Sequence, residues 1–246
     1  MRPLTAEMIV GDCVAVYPAT ARVFETYGID YCCGGGQPLH AASADAHVSL
    51  DGLMAELKKA VESSLTAEPT QEVRWIDASL AVLCQHIIAN HHNYLRRELP
   101  RLSTLISKVL DAHGSKHPEL VDLAEAFDAL CKELRPHMMK EEQILFPAIA
   151  SLERSVSLPS FPFGTVASPI QVMEQEHRHA GDELASIRSI TQGFSPPPDA
   201  CPTYLAMLQS LKELEANMHQ HVHKENNILF PRAIELEGCL REAAAG

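Results

Sequence analysis

The sequence predicts an all-α protein in which two helical hairpins form an up-down four-helix bundle behind a small helical domain. A histidine–glutamate motif, H-x-x-K-E-x-x-I-L-F-P, occurs at His137–Pro147 and again at His221–Pro231. No convincing alternation of apolar and polar residues, the pattern typical of strands, accompanies it. A fixed internal repeat indicates duplicated architecture, so each copy is expected to lie in the second helix of one hairpin.

In both copies of the motif the histidine and the glutamate are four residues apart. Side chains at positions i and i+4 lie on the same face of an α-helix, one above the other. His137 and Glu141 therefore point to one place, as do His221 and Glu225. Two such helices that face each other would hold two metal ions between them.

A single histidine precedes each copy at nearly the same distance. His92 lies 45 residues before His137, and His177 lies 44 residues before His221. His91 is the immediate neighbour of His92, so the first helix offers two adjacent candidates. The complete set of candidate ligands is His92, His137, Glu141, His177, His221 and Glu225.

Residues 1–66 are predicted to form a small helical domain, residues 67–75 a polar linker, and residues 76–246 the bundle. In the small domain, helices are expected over Ala19–Tyr27 and Leu50–Ser63. A glycine-rich loop separates them. A domain of this size has a marginal core, so it is expected to dock on another surface.

The bundle is predicted to contain four helices over residues 76–112, 117–146, 168–192 and 202–236. Pro147 is expected to end or kink the second helix, because proline lacks the N–H that an interior position uses. Ser168 followed by Pro169 is a favourable start for the third helix, with serine as the N-cap and proline at the first helical position.

The composition excludes several classes of protein. The net charge of −12 argues against nucleic acid or an anionic membrane as the main partner. No run of 18 apolar residues predicts a membrane span, and the N-terminus lacks the apolar stretch of a signal peptide. Seven cysteines without a C-x-x-C pair indicate free thiols in a reducing cytoplasm.

Histidine with carboxylate is a donor set that suits iron, zinc, nickel and copper. Six ligands from four long helices favour a dinuclear centre, in which two carboxylates bridge and two histidines complete each metal ion. Two glutamates contribute a charge of −2 against the +4 of two ferrous ions. The remaining positive charge could be balanced by an anionic ligand. A zinc- or manganese-loaded enzyme is an alternative that ligand types alone leave open.

Three segments together resemble one protein family: Tyr27–Gly34 with its vicinal cysteines, His137–Pro147, and Val172–His177. The bundle resembles the hemerythrin-like domain, and nearly the whole chain resembles the RIC family of di-iron proteins implicated in iron–sulfur cluster repair. The resemblance implies that the six candidate residues are ligands of two non-haem iron ions. It also implies that Glu141 and Glu225 bridge the ions together with an oxo or hydroxo group.

Cys32 and Cys33 form an adjacent thiol pair beside the glycine-rich loop. Such a pair could pass electrons through a vicinal disulfide, hold a soft metal or exchange with other thiols. Two small buried residues are the structural alternative. The glycines favour an exposed loop and a role in redox chemistry or iron transfer. Glu176, beside His177, is interpreted as a solvated acid, and a position behind the ligands or in a tunnel to the site is the alternative.

The resemblance implies a cytoplasmic protein that restores iron–sulfur proteins damaged by nitrosative or oxidative stress. Two mechanisms fit this function: release of labile iron to a damaged cluster, and reduction of two NO molecules to N2O at a diferrous centre. A module that senses or carries oxygen, NO or iron without catalysis is the alternative. The N-terminal domain, with its marginal core, could also pair with the same domain of a second copy in a homodimer.

Overall fold

A computed structural model describes residues 3–66 and 74–245 of the chain. Within these residues the chain forms helices and no strand, as the sequence predicts. Most of the predicted linker, residues 67–73, lies outside the described residues. No helix of the described part combines the length and the apolar character that crossing a membrane requires.

The N-terminal region folds into four helices. They are α1 (Val10–Val16), α2 (Ala21–Tyr27), α3 (Leu39–Asp45) and α4 (Leu50–Thr66). Only α2 and α4 were predicted. The other two have seven residues each, about two turns, and a segment this short carries little helical periodicity. Gly28 ends α2 in the left-handed conformation, with a φ of 65°.

Four long helices form the bundle, and three of them contain a wider π turn. The first comprises α5 (Leu80–Ile87), π1 (Ile88–His92) and α6 (Asn93–His113). The second comprises α7 (Glu119–Lys140), π2 (Glu141–Leu145) and α8 (Phe146–Arg154). The third is α9 (Ala167–Ile190), and the fourth comprises α10 (Pro202–Lys224), π3 (Glu225–Leu229) and α11 (Phe230–Ala245).

The prediction that Pro147 ends or kinks the second helix is wrong as far as an end is concerned, because the chain continues helically to Arg154. A π turn lies directly ahead of the proline and widens the helix there. The missing N–H then falls in the first turn of α8, where proline is tolerated. Pro231 follows π3 in the same way, and the fourth helix extends past the predicted residue 236 to Ala245.

Two glutamates outside the motif determine where two bundle helices begin. Glu153 accepts hydrogen bonds from the backbone N–H of Leu80 and of the next residue, at 2.6 and 3.0 Å. Glu237 accepts one from the N–H of Val166, at 3.2 Å, so α9 begins before the predicted cap at Ser168. Each carboxylate satisfies N–H groups that a helix start leaves unpaired.

A polar layer divides the core of the bundle. One apolar cluster joins α6, α7, α10 and the second half of α9 to the N-terminal helices. The other joins α5, α8, α11 and the first half of α9. Between the two clusters lie the buried histidines and glutamates of the repeated motif. The fold therefore places ionisable groups where a helical bundle would ordinarily be apolar.

The N-terminal domain docks on the fourth bundle helix through Asn227. The amide of this residue donates hydrogen bonds to the carbonyl oxygens of Tyr31, at 3.1 Å, and Cys32, at 3.3 Å. Two glycines leave space for the Asn227 side chain and for the backbone of the loop that it contacts. A Cβ atom on Gly11 would lie 2.4 Å from Asn227 Oδ1, and one on Gly35 would lie 2.4 Å from the Tyr31 carbonyl oxygen.

We expect Gly35→Ala to destabilise the protein by roughly 1–3 kcal/mol, the usual cost of forcing extra volume into a packed site. The added methyl group would meet backbone rather than a flexible side chain. Gly36→Ala is the matched control, because nothing lies within 4 Å of its Cβ position. Urea unfolding measures both changes, and equal midpoints for the two variants would contradict the close approach.

Candidate metal centre

Six buried side chains meet in the middle of the bundle. They are His92, His137, Glu141, His177, His221 and Glu225, each at most 2% exposed. The structure brings them together in two groups, and within each group the candidate ligand atoms lie within 4.8 Å of one another. Both glutamates belong to both groups, whereas each histidine belongs to one.

The Nε2 atoms of the histidines converge in pairs. Those of His92 and His221 are 3.1 Å apart, and those of His137 and His177 are also 3.1 Å apart. Carboxylate oxygens of Glu141 and Glu225 complete the groups, at distances of 3.0 to 3.4 Å from these nitrogens. Nitrogen lone pairs and carboxylate oxygens that converge in this way are a donor set that suits a metal cation.

Of the two adjacent histidines in the first helix, only His92 faces the carboxylates. His91 turns its Nδ1 to the side-chain oxygen of Asn217, at 3.1 Å, and its Nε2 lies 3.0 Å from the ammonium of Lys224. Its ring stacks on the ring of His221, with 5.3 Å between the centroids. The structure therefore places His91 behind a candidate ligand rather than among the ligands.

The carboxylates fit a cation because little else satisfies them. Within the described part of the chain, both oxygens of Glu141 and one oxygen of Glu225 are buried without a hydrogen-bond partner. Burial alone would raise the pKa of Glu225, but His221 and His177 outweigh it and hold the pKa well below its usual range. Buried ionised carboxylates are costly unless an opposite charge compensates them. Divalent cations in the two groups would supply that charge.

Residues behind the candidate ligands orient three of the four imidazole rings. The Nδ1 atoms meet side-chain oxygens as follows: His92 with Glu142 at 2.6 Å, His137 with Glu176 at 2.9 Å, and His177 with Asn226 at 2.8 Å. The Nδ1 of His221 has no partner in the described residues. A bond at Nδ1 fixes the tautomer that presents Nε2 to a metal ion.

Glu176 is not the solvated acid that the sequence suggested. Its carboxylate lies between the Nδ1 of His137 and the ammonium of Lys140, and these contacts lower its pKa to about 2. The sequence did contain a signal for this contact. Lys140, the lysine of the repeated motif, stands one residue before the candidate ligand Glu141 and supplies a positive charge for Glu176. Glu142 and Asn226 were missed as well, although they are the residues that directly follow the two ligand glutamates.

The phenylalanine of each motif stacks on the single histidine in the other helix of the same hairpin. The ring of Phe146 stacks on His92 with 5.8 Å between centroids, and the ring of Phe230 stacks on His177 with 6.0 Å. Both phenylalanines are buried and shield the bundle core from solvent. Their specific contacts place this shield against the two single histidines.

The cysteine loop lies against α9, next to one candidate ligand. Cys33 Sγ is 3.5 Å from the carbonyl oxygen of His177 and 3.9 Å from Cys32 Sγ. Asp30 holds the loop by accepting hydrogen bonds from the N–H groups of Cys32, Cys33 and Gly34. The expectation of an exposed loop is wrong for Cys32, which is 7% exposed. A cavity of about 600 Å³ adjoins both cysteines and His177.

Two family models match the chain. The hemerythrin HHE cation-binding domain matches residues 83–233, and a domain of unknown function, DUF542, matches residues 6–61. The iron-sulfur cluster repair protein YtfE of Escherichia coli O81 (strain ED1a) is 38% identical over 225 residues, which are 92% of this chain and 96% of the relative. The protein of the same name from Escherichia fergusonii has the same identity and coverage.

We expect His92→Ala to lower the ferrous iron content of the anaerobically loaded protein from about two ions per chain to about one, because it removes an Nε2 that faces the carboxylates. His91→Ala is the matched control and should keep both ions, since its nitrogens contact Asn217 and Lys224. Elemental analysis after gel filtration measures the metal content. Loss of iron in the His91 variant alone would reverse the assignment.

We expect ferrous ions to raise the unfolding temperature of the protein and Glu225→Gln to reduce that increase strongly. A ligand at 100 times its dissociation constant stabilises the folded state by about 2.7 kcal/mol. The exposed Glu235 on the same helix provides the control variant, Glu235→Gln. Anaerobic calorimetry with and without ferrous ions makes the comparison, and an equal increase in both variants would rule out Glu225 as a ligand.

Proposed function

We propose, because the chain belongs to the hemerythrin HHE cation-binding family, that its bundle holds two iron ions and serves the repair of iron–sulfur clusters. The chain also shares its DUF542 domain and most of its length with relatives named for that repair. The observation that carries the proposal is the convergence of four histidines in two groups that share two buried glutamates.

The proposed ligands are His92 and His221 for one ion, and His137 and His177 for the other. Glu141 and Glu225 belong to both groups and would bridge the ions. Bound there, ferrous ions would supply exchangeable coordination positions and reducing equivalents. The protein supports three of the rings from behind and shields two of them with phenylalanine rings. His221 and His177 hold the pKa of Glu225 well below its usual range.

In this function iron is also the cargo, which passes from the bundle to a damaged cluster. The ligand shell supports release because His221 lacks a partner at Nδ1 among the described residues. We assign the handover to Cys32 and Cys33, whose thiols lie beside His177 at the edge of the cavity. Thiolates are the ligands that hold iron in iron–sulfur clusters, so they suit a cargo bound for one.

All seven cysteines are free, which fits the reducing cytoplasm that we propose as the setting. The proposed homodimer rested on the marginal size of the N-terminal domain. That domain docks on the bundle of its own chain, so it depends less on the surface of a second copy of the protein. The mass of the protein in solution, measured by light scattering, tests the dimer directly.

We expect the ferrous-loaded protein to restore activity to a [4Fe–4S] hydro-lyase damaged by NO, and Cys32→Ser with Cys33→Ser to slow that recovery at least about tenfold. Thiolates lend themselves to iron transfer because they bind iron and exchange. Cys239→Ser, which alters an exposed cysteine far along the sequence, is the control. Recovery is followed anaerobically by hydro-lyase activity and by the absorbance of its cluster.

Products of the same assay separate the alternatives. N2O formed by the protein in proportion to NO consumed, with no transfer of labelled iron, would indicate NO reduction as the main role. A stable oxygen adduct of the diferrous protein without any recovery of the hydro-lyase would indicate a carrier or sensor. Transfer of labelled iron that keeps pace with recovery supports iron donation.

A further inference from the structure

The two copies of the motif differ directly after the ligand glutamate, at Glu142 and Asn226. Both side chains reach across the bundle to the single histidine of another helix: Glu142 to His92 at 2.6 Å, and Asn226 to His177 at 2.8 Å. An ionised carboxylate only accepts hydrogen bonds, whereas an amide accepts through its oxygen and donates through its nitrogen. Asn226 therefore has a donor left over after it has met its histidine.

That donor contacts the cysteine loop. Asn226 Nδ2 donates to the carbonyl oxygen of Cys32 at 3.3 Å. One side chain therefore bridges a candidate metal ligand and the backbone between the two cysteines. Glu142 makes a different second contact, because its carboxylate accepts from the guanidinium of Arg96 at 2.5 Å on the far side of the bundle.

The loop is held rigidly enough to transmit a change. The Asp30 carboxylate ties three successive N–H groups, and Asn227 binds the carbonyl oxygens of Tyr31 and Cys32. Gly35 leaves no space for a side chain against the Tyr31 carbonyl. The Cys32 carbonyl is therefore unable to shift alone, and a displacement of the loop also displaces the hydrogen bond to Asn226.

Cys33, the second cysteine of the loop, also contacts His177. Cys33 Sγ lies 3.5 Å from the His177 carbonyl oxygen, in a narrow space where a Cβ atom on Gly181 would be 3.7 Å from the sulfur. A group attached to this sulfur would replace the S–H that donates to the His177 carbonyl oxygen, and the adjoining cavity has room for the group. Modification or ligation of Cys33 therefore releases this contact between the loop and α9.

We propose that Asn226 is a positioning residue that links the state of the Cys32–Cys33 loop to the metal position held by His137 and His177. This proposal rests on the metal binding proposed above. It identifies which of the two metal positions responds to a change in the cysteine loop. When the loop moves, His177 loses the partner at its Nδ1 and holds its ion less firmly. The position held by His92 and His221 depends on Glu142 and stays as it is.

Linkage between two sites is reciprocal, so the effect can be measured from the cysteine side. If loop displacement weakens the ion at His177, an ion bound there must hold the loop in place and protect Cys33 from reaction. The full-length protein is stripped with a chelator, or loaded anaerobically with ferrous ions, and treated with iodoacetamide. Mass spectrometry then gives the alkylation rate of the peptide that contains Cys32 and Cys33. Cys201 and Cys239 serve as internal standards.

We expect ferrous ions to slow alkylation of the loop cysteines at least about fivefold, the lower end of usual coupling between linked sites. Asn226→Asp keeps the acceptor for His177 and removes the donor to Cys32, so it should lose most of the protection when it is compared with the wild type at equal metal content. Glu142→Gln, at the equivalent place in the first copy, should leave the protection intact.

Metal content measured on the same samples separates this proposal from the one on which it rests. Wild-type protein that loads two ions without protection of the loop would overturn the coupling and leave the metal centre standing. Full protection in Asn226→Asp would overturn the role of Asn226. Protein that loads no iron and shows no protection would overturn both proposals.

Discussion

Two carboxylates in the middle of a helical bundle are the constraint on which the rest of the structure depends. Glu141 and Glu225 are fully buried, yet they remain acceptors with few donors around them in the described residues. Burial of a charge is tolerated only when an opposite charge lies close by. The four histidines, the π turns that contain His92 and both glutamates, and the split apolar core all serve this one requirement.

The duplicated hairpin produces a centre that is symmetric in its ligands and asymmetric in its surroundings. Each hairpin contributes two histidines and one glutamate. In each hairpin the motif phenylalanine stacks on the single histidine of the other helix. Behind the ligands the symmetry ends. Glu176 supports His137, whereas the corresponding residue of the other hairpin, His91, stacks on His221. The Nδ1 of His221 has no hydrogen-bond partner in the part of the chain that the structure describes. The two candidate metal positions therefore have similar ligands and different support behind them.

The fold class and the six converging side chains could be predicted from the sequence because both follow from local spacing. An i,i+4 pair needs only a helix, and the equal offsets of His92 and His177 reveal the partner helices. The helix ends and the supporting residues could not be predicted in this way. Glu153 and Asn226 act on groups at least 49 residues away in the sequence, and no helical period marks such contacts.

The docking of the N-terminal domain has a consequence for synthesis of the chain. Asn226 follows Cys32 by 194 residues, so the ribosome makes the cysteine loop long before its binding surface. At usual elongation rates of 5–20 residues per second, the interval lasts roughly 10–40 s. During that time the nascent domain must stay folded with both thiols uncovered. Its four helices and the Asp30 carboxylate, which are all local in sequence, can hold the loop until the last helix arrives.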